Sequence, residues 1–250
     1  MTINPQPITV IDTEELLVSV IPRDSRLATI CFTGIGHAVG GVDIQSFEFL
    51  KSSQNSTTIF IVDRKRSWGN NIIFDDVLNA IAKYIEGKIV NTIGNSMGGF
   101  LAVLITRYIT TKNAIAFVPQ FSVNKKIVPN EMRFDSYVNK ITNWKHESLL
   151  YSFNETTNYY IFFGEDDPND VEQRKFFPIK KNIFIFLFKN IGWGHNVAQK
   201  LKESKVLYST IENCLEQINP DLIISKNLSE HNVHYLNPSS DTNSIARAIA

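Results

Sequence analysis

Apolar positions along this chain come in two rhythms. Short, nearly continuous runs rich in Ile, Val, Phe and Tyr occupy 8–11, 16–21, 27–32, 57–62, 89–93, 113–121, 159–163 and 182–188. Such β-branched and aromatic runs, bounded by polar turns, predict buried strands. Between them lie stretches with helical spacing. In 73–85 the residues Ile73, Val77, Ile81 and Ile85 form one stripe, and 99–105 and 197–202 also read as helices. The first two strands are joined by a tight Asp-Thr-Glu turn, which predicts an antiparallel pair at the N-terminal edge. Beyond them strands alternate with helices. The expected fold class is therefore α/β, a mostly parallel central sheet with helices on both faces.

One junction carries chemistry. Gly94-Asn95-Ser96-Met97-Gly98 reads G-x-S-x-G and stands between the 89–93 strand and the 99–105 helix. A turn that sharp strains the residue at its apex, and its neighbours must lack side chains where strand and helix nearly touch. The helix N-terminus then favours negative charge beside the Ser. This strand–turn–helix resembles the nucleophile elbow of the α/β-hydrolases. The resemblance spans roughly residues 8–218 and implies that fold, with a Ser96 nucleophile and an acid and a base following it in chain order.

The 159–163 strand ends in Gly164-Glu165-Asp166-Asp167-Pro168-Asn169-Asp170. This resembles the G-x-x-D-P turn that carries the acid in α/β-hydrolases, an alignment that selects Asp167, with Asp166 and Asp170 as competitors. The last core strand, 182–188, leads into Gly192-Trp193-Gly194-His195 and then a helix. A His in that loop is where the resemblance places the base. His37 precedes the Ser, His146 falls between elbow and acid, and His231 and His234 lie in a polar C-terminal stretch. The expected set is Ser96, Asp167 and His195.

After the 27–32 strand comes Thr33-Gly34-Ile35-Gly36. In the resembled family this loop carries His-Gly and donates a backbone N–H to the oxyanion. Thr33 here stands in the place of the His. By position Ile35 N–H is one expected donor and Met97 N–H the other. Gly34 permits the approach, and Gly34 and Trp193 are the expected substrate contacts. The loop continues through His37, Gly40 and Gly41, which points to mobility. The G-x-G has neither the third Gly nor the ribose-binding acid of a dinucleotide site. No cofactor and no metal are implied.

Composition narrows the setting. The chain has 250 residues, suiting one domain, and 43% hydrophobic content, enough for a sheet covered on both faces. Lys+Arg and Asp+Glu both total 25, so no net field draws the protein to nucleic acid or an anionic membrane. No apolar run is long enough for a membrane span, and the N-terminus lacks a basic region followed by an apolar one, so a cytoplasmic location is expected. Its two cysteines, Cys31 and Cys214, fall on a predicted strand and helix and read as buried thiols. The expected organisation is a hydrolase domain over 1–218 and a polar tail over 219–250. A short insertion at 122–158 stands where many hydrolases carry a cap; its Phe134 and Trp144 either floor an acyl pocket or serve as core packing, the commoner use of aromatics in such segments. The run Val118-Pro119-Gln120-Phe121-Ser122 resembles one in some bacterial surface-polysaccharide proteins, tilting the expected substrate toward an acyl ester of a carbohydrate or small molecule. Two classes of function remain: a serine acyl-ester hydrolase, with acyl transfer by the same residues as a variant, and a non-catalytic binding protein on the same fold. Oligomeric state is open.

Overall fold

The computed structural model describes residues 6–36, 48–189 and 192–236. His37, Gly40, Gly41 and the chain beyond Leu236 lie outside them. Among the described residues nine strands form one sheet: β1 (Ile8–Asp12), β2 (Leu16–Ile21), β3 (Leu27–Phe32), β4 (Thr57–Asp63), β5 (Ile89–Asn95), β6 (Asn113–Phe117), β7 (Asn158–Gly164), β8 (Ile183–Phe188) and β9 (Val233–Leu236). Their order is β1-β2-β4-β3-β5-β6-β7-β8-β9. From β4 to β8 every pairing is parallel; the β1–β2 and β2–β4 pairings at one edge and the β8–β9 pairing at the other are antiparallel.

Alternate residues of each strand feed two cores. Ala28, Ile30 and Phe32 of β3 face α1 (Phe74–Ile85) and α2 (Met97–Leu104). Cys31, with Ile93, Ile115 and Phe162, faces α5 (Val197–Glu203) and α6 (Leu207–Leu215). Two further short helices, α3 (Asp135–Val138) and α4 (Pro168–Arg174), follow β6 and β7, and α7 (Pro220–Ile223) precedes β9. Helix α1 buries Phe74, Val77 and Ile81. Each such burial stabilises by roughly 1.5–3 kcal/mol relative to exposure. Ile73, expected on the same stripe, sits at the N-cap with 56% of its surface exposed, and Phe74 fills the inward position.

Two expectations are corrected. The strand expected over 113–121 stops at Phe117, because Val118 turns into the left-handed region at φ 41° just before Pro119. Residues 219–236 are not a tail: Ile223 and Leu228 are buried and Val233–Leu236 pairs with β8, so the sheet extends past the boundary expected at 218. Residues 122–158 fold onto the sheet face. Val123, Val138 and Leu149 enter the α1–α2 core, and Phe134 and Trp144 pack against it.

Candidate active site

The elbow forms where β5 passes into α2. Ser96 sits at φ 55°, ψ −121°, a strained geometry for a residue with a side chain. Its N–H donates to Phe117 O on β6 at 2.8 Å. A Cβ on Gly94 would lie 2.1 Å from Gly98 O, and one on Gly98 would lie 2.3 Å from Phe32 O. Real atoms do not approach so closely, so both glycines are dictated by the crossing of β5, α2 and β3.

His195 comes from the other side of the sheet's C-terminal edge, in a 3-10 turn over Gly194–Asn196 that opens α5. The turn lies directly on the end of β7, since a Cβ on Gly164 would meet Gly194 O at 2.4 Å. The imidazole Nε2 lies 2.9 Å from Ser96 Oγ. Its Nδ1 lies 2.8 Å from Asp170 Oδ2 and 2.9 Å from Oδ1. Ser96 and Asp170 are buried, while a quarter of the imidazole stays open, at 26% side-chain exposure.

The carboxylate expected on the imidazole was Asp167; the one found there is Asp170. The turn's three candidates have separate tasks. Asp166 Oδ2 accepts from Gly192 N–H at 2.9 Å, fastening the His195 loop. Asp167 is the N-cap of α4, its Oδ1 accepting from Asn169 N–H at 2.8 Å and Asp170 N–H at 3.2 Å. Asp170, one turn inward, points at the ring. Asp followed by Pro at the first helical position is a helix-start pattern. That pattern is the sequence signal that separates Asp167 from Asp170.

Arg133 braces this acid from the 122–158 segment. One of its terminal nitrogens lies 2.8 Å from Asp170 Oδ1, 3.5 Å from Asp167 Oδ2 and 3.3 Å from His195 Nδ1. Its other terminal nitrogen donates to Glu131 Oε2 at 2.7 Å and its Nε to Glu131 Oε1 at 3.0 Å. Burial works against the guanidinium charge, yet Glu131 and Asp170 outweigh it and hold the pKa above its ordinary value. Glu131 also accepts from Gln173 on α4 at 2.9 Å, tying segment and helix together. Nothing in the spacing of Glu131 or Arg133 flags them in the sequence.

The other expected residues divide. Met97 opens α2, so its N–H is one of the donors a helix leaves without an intrahelical acceptor. The Ile35 carbonyl accepts from Arg66 Nε at 2.9 Å, a bond on the Ile35–Gly36 peptide rather than on the one that carries the expected donor N–H. Gly34 N–H donates to Glu48 at 2.8 Å. Burial pushes Glu48 up to about 7, against the pull of that N–H and Lys202. Trp193 stacks on Phe188 at 5.1 Å and leans on His231 at 4.9 Å, so its contacts are with the α5–α6 core. Phe134 is the aromatic near the site, 6.5 Å between ring centres from His195. Gln120 Nε2 lies 3.2 Å from Ser96 Oγ, a neighbour the sequence did not single out.

His146 is buried between Phe74 and Tyr108, away from Ser96. Cys31 and Cys214 are free and buried; burial pushes both thiols up, so neither is a poised nucleophile. Among the described residues no group of three His, Cys, Asp or Glu side chains is arranged to hold a metal ion. A cleft of about 860 Å³ runs between α5, α6 and the turn Leu50–Ser53 and reaches Asn95, but Ser96, His195 and Asp170 do not line it.

No protein-family model and no curated protein matches this chain. Solved structures do. The capsule O-acetyltransferase of Neisseria meningitidis serogroup A matches 79% of this chain and 92% of its own, with TM-score 0.55 and 15% identity. The acylaminoacyl peptidase of Pyrococcus horikoshii matches 90% of this chain and 44% of its own, with TM-score 0.59 and 15% identity. A lidless α/β serine hydrolase of Xanthomonas campestris matches 88% and 97%, with TM-score 0.52 and 10% identity. The chain has the α/β-hydrolase fold. No helix among the described residues is long and apolar enough to cross a membrane.

Proposed function

We propose that this protein is a serine-dependent acyl-ester hydrolase that works through an acyl-enzyme on Ser96. The observation that carries the reading is the continuous chain of contacts from Ser96 Oγ through His195 to Asp170 at 2.9 and 2.8 Å. In this reading Ser96 Oγ attacks the ester carbonyl while His195 Nε2 takes its proton. Asp170 holds Nδ1–H and stabilises the imidazolium, and Arg133 keeps Asp170 in place. Met97 N–H and Ile35 N–H receive the oxyanion. The proton returns to the leaving alcohol, and water then attacks the acyl-enzyme with His195 again as base.

Transfer to an alcohol instead of water uses the same steps. The likeness to a capsule O-acetyltransferase, matched over 92% of that chain, favours weighing this second reading. For the substrate we propose an O-acyl group on a carbohydrate or small molecule, and for the compartment the cytoplasm, where two free buried thiols persist. The test is turnover of acyl esters of graded chain length, with and without a sugar alcohol as acceptor. Release of free acid that ignores the acceptor supports hydrolysis. Acylated sugar forming faster than free acid supports transfer. Absence of both with every ester would leave the non-catalytic alternative standing.

A further inference from the structure

We propose that Gln120 is a catalytic donor of this site: its carboxamide N–H holds the Ser96 oxygen toward His195 and stabilises the charge that oxygen carries during attack. The inference rests on Ser96 being the nucleophile.

The geometry fixes which end of the amide faces Ser96. Gln120 is fully buried, and its Oε1 accepts from Trp68 Nε1–H at 3.0 Å. An indole N–H can only donate, so the atom facing it must be the amide oxygen. A flipped amide would set donor against donor beside Trp68. The atom 3.2 Å from Ser96 Oγ is therefore the nitrogen, and it donates. Ser96 Oγ accepts that bond and so turns its own proton to the other near neighbour, His195 Nε2 at 2.9 Å. That is the arrangement the base requires.

The backbone is strained to produce it. Trp68 sits at φ 51° and Val118, two residues before Gln120, at φ 41°, both in the left-handed region that non-glycine residues rarely adopt. Ser96 itself is at φ 55°. Such strain collects where geometry serves function. Trp68 is fully buried and packs on Phe134 at 5.2 Å, so the indole that orients the amide is itself fixed.

The consequence follows through the reaction. As the Ser96 proton passes to His195 Nε2 the oxygen carries transient negative charge, which moves to the carbonyl oxygen as the Oγ–carbon bond forms. Gln120 keeps both its protons and donates to Ser96 Oγ from a water-excluded position, where a fixed dipole acts strongly. In deacylation Ser96 Oγ leaves as the Oγ–carbon bond breaks, and the same donor meets the returning charge. The donor thus acts on both halves of the cycle.

The experiment is the second-order rate of Ser96 modification by a fluorophosphonate, followed by peptide mass mapping, on intact protein with melting temperature measured in parallel. Gln120→Met keeps length and loses the donor. Gln120→Glu keeps shape and the Trp68 contact and, assayed at a pH high enough to ionise the buried carboxyl, turns an acceptor toward Ser96. Both are expected to react about 10²-fold more slowly, taking as the scale the loss of a single oxyanion-hole donor. Trp68→Phe, which frees the amide to flip, should slow the reaction by less. Either folded Gln120 variant reacting at the wild-type rate would overturn the proposal while leaving Ser96 as nucleophile. A wild-type protein that carries no adduct on Ser96 would remove the nucleophile reading and this one with it.

Discussion

Asp170→Asn should lower turnover by on the order of 10⁴, because an amide neither selects the right imidazole tautomer nor stabilises the imidazolium. Asp167→Asn should keep activity, since Asn caps a helix as well as Asp does. Asp167→Ala should cost about 1 kcal/mol of stability through the lost cap, with turnover largely intact. Rates and denaturant melts of the three variants check this. If Asp167→Asn proves as damaging as Asp170→Asn, the contacts to His195 are not the ones used. The residue scale was the least legible in the sequence. Ser96 and His195 stood out through the elements around them. The choice among Asp166, Asp167 and Asp170 depended on which carboxylate bends back to cap α4, and spacing to Gly164 does not report that. The Pro at the first helical position does.

At the scale of elements, the 122–158 segment acts as a brace. Arg133 spans two buried carboxylates, Glu131 and Asp170, each with 1% side-chain exposure. Arg133→Met leaves both uncompensated, and removing one partner of such a group costs about 3–5 kcal/mol. Adding Glu131→Gln should recover part of that loss, because it removes one orphaned charge. The double variant melting no higher than Arg133→Met would contradict the account. Strands were legible because their apolar runs are nearly continuous, and the helix over 74–85 because its apolar residues recur at helical spacing. The segment was not, because its few buried side chains, among them Val123, Val138 and Leu149, are scattered through irregular backbone. β9 was missed for a related reason: a short edge strand whose residues are all half-buried carries little hydrophobic signal.

The whole molecule joins one sheet to a site assembled at its C-terminal edge, and His146 should make its stability acid-sensitive. His146 is buried against Phe74 and Tyr108; burial, with Arg107 and Lys145, depresses it from 6.5 to about 4. A base depressed in the folded state stabilises fully above its unfolded pKa and loses that contribution as pH falls through the folded value. Relative to His146→Gln, the wild-type protein should therefore lose stability between pH 6.5 and about 4 and differ little in slope above 6.5. Parallel slopes across that window would show that the ring is not held neutral.

The central claim is that Ser96 is a nucleophile activated by His195. It is tested most directly by mapping the site of fluorophosphonate attachment in the wild-type protein, Ser96→Ala and His195→Ala, all confirmed folded by circular dichroism. The account predicts one adduct on Ser96 in the wild type, none in Ser96→Ala and severely slowed labelling in His195→Ala. An adduct on another residue, or wild-type labelling that His195→Ala leaves unchanged, would contradict it.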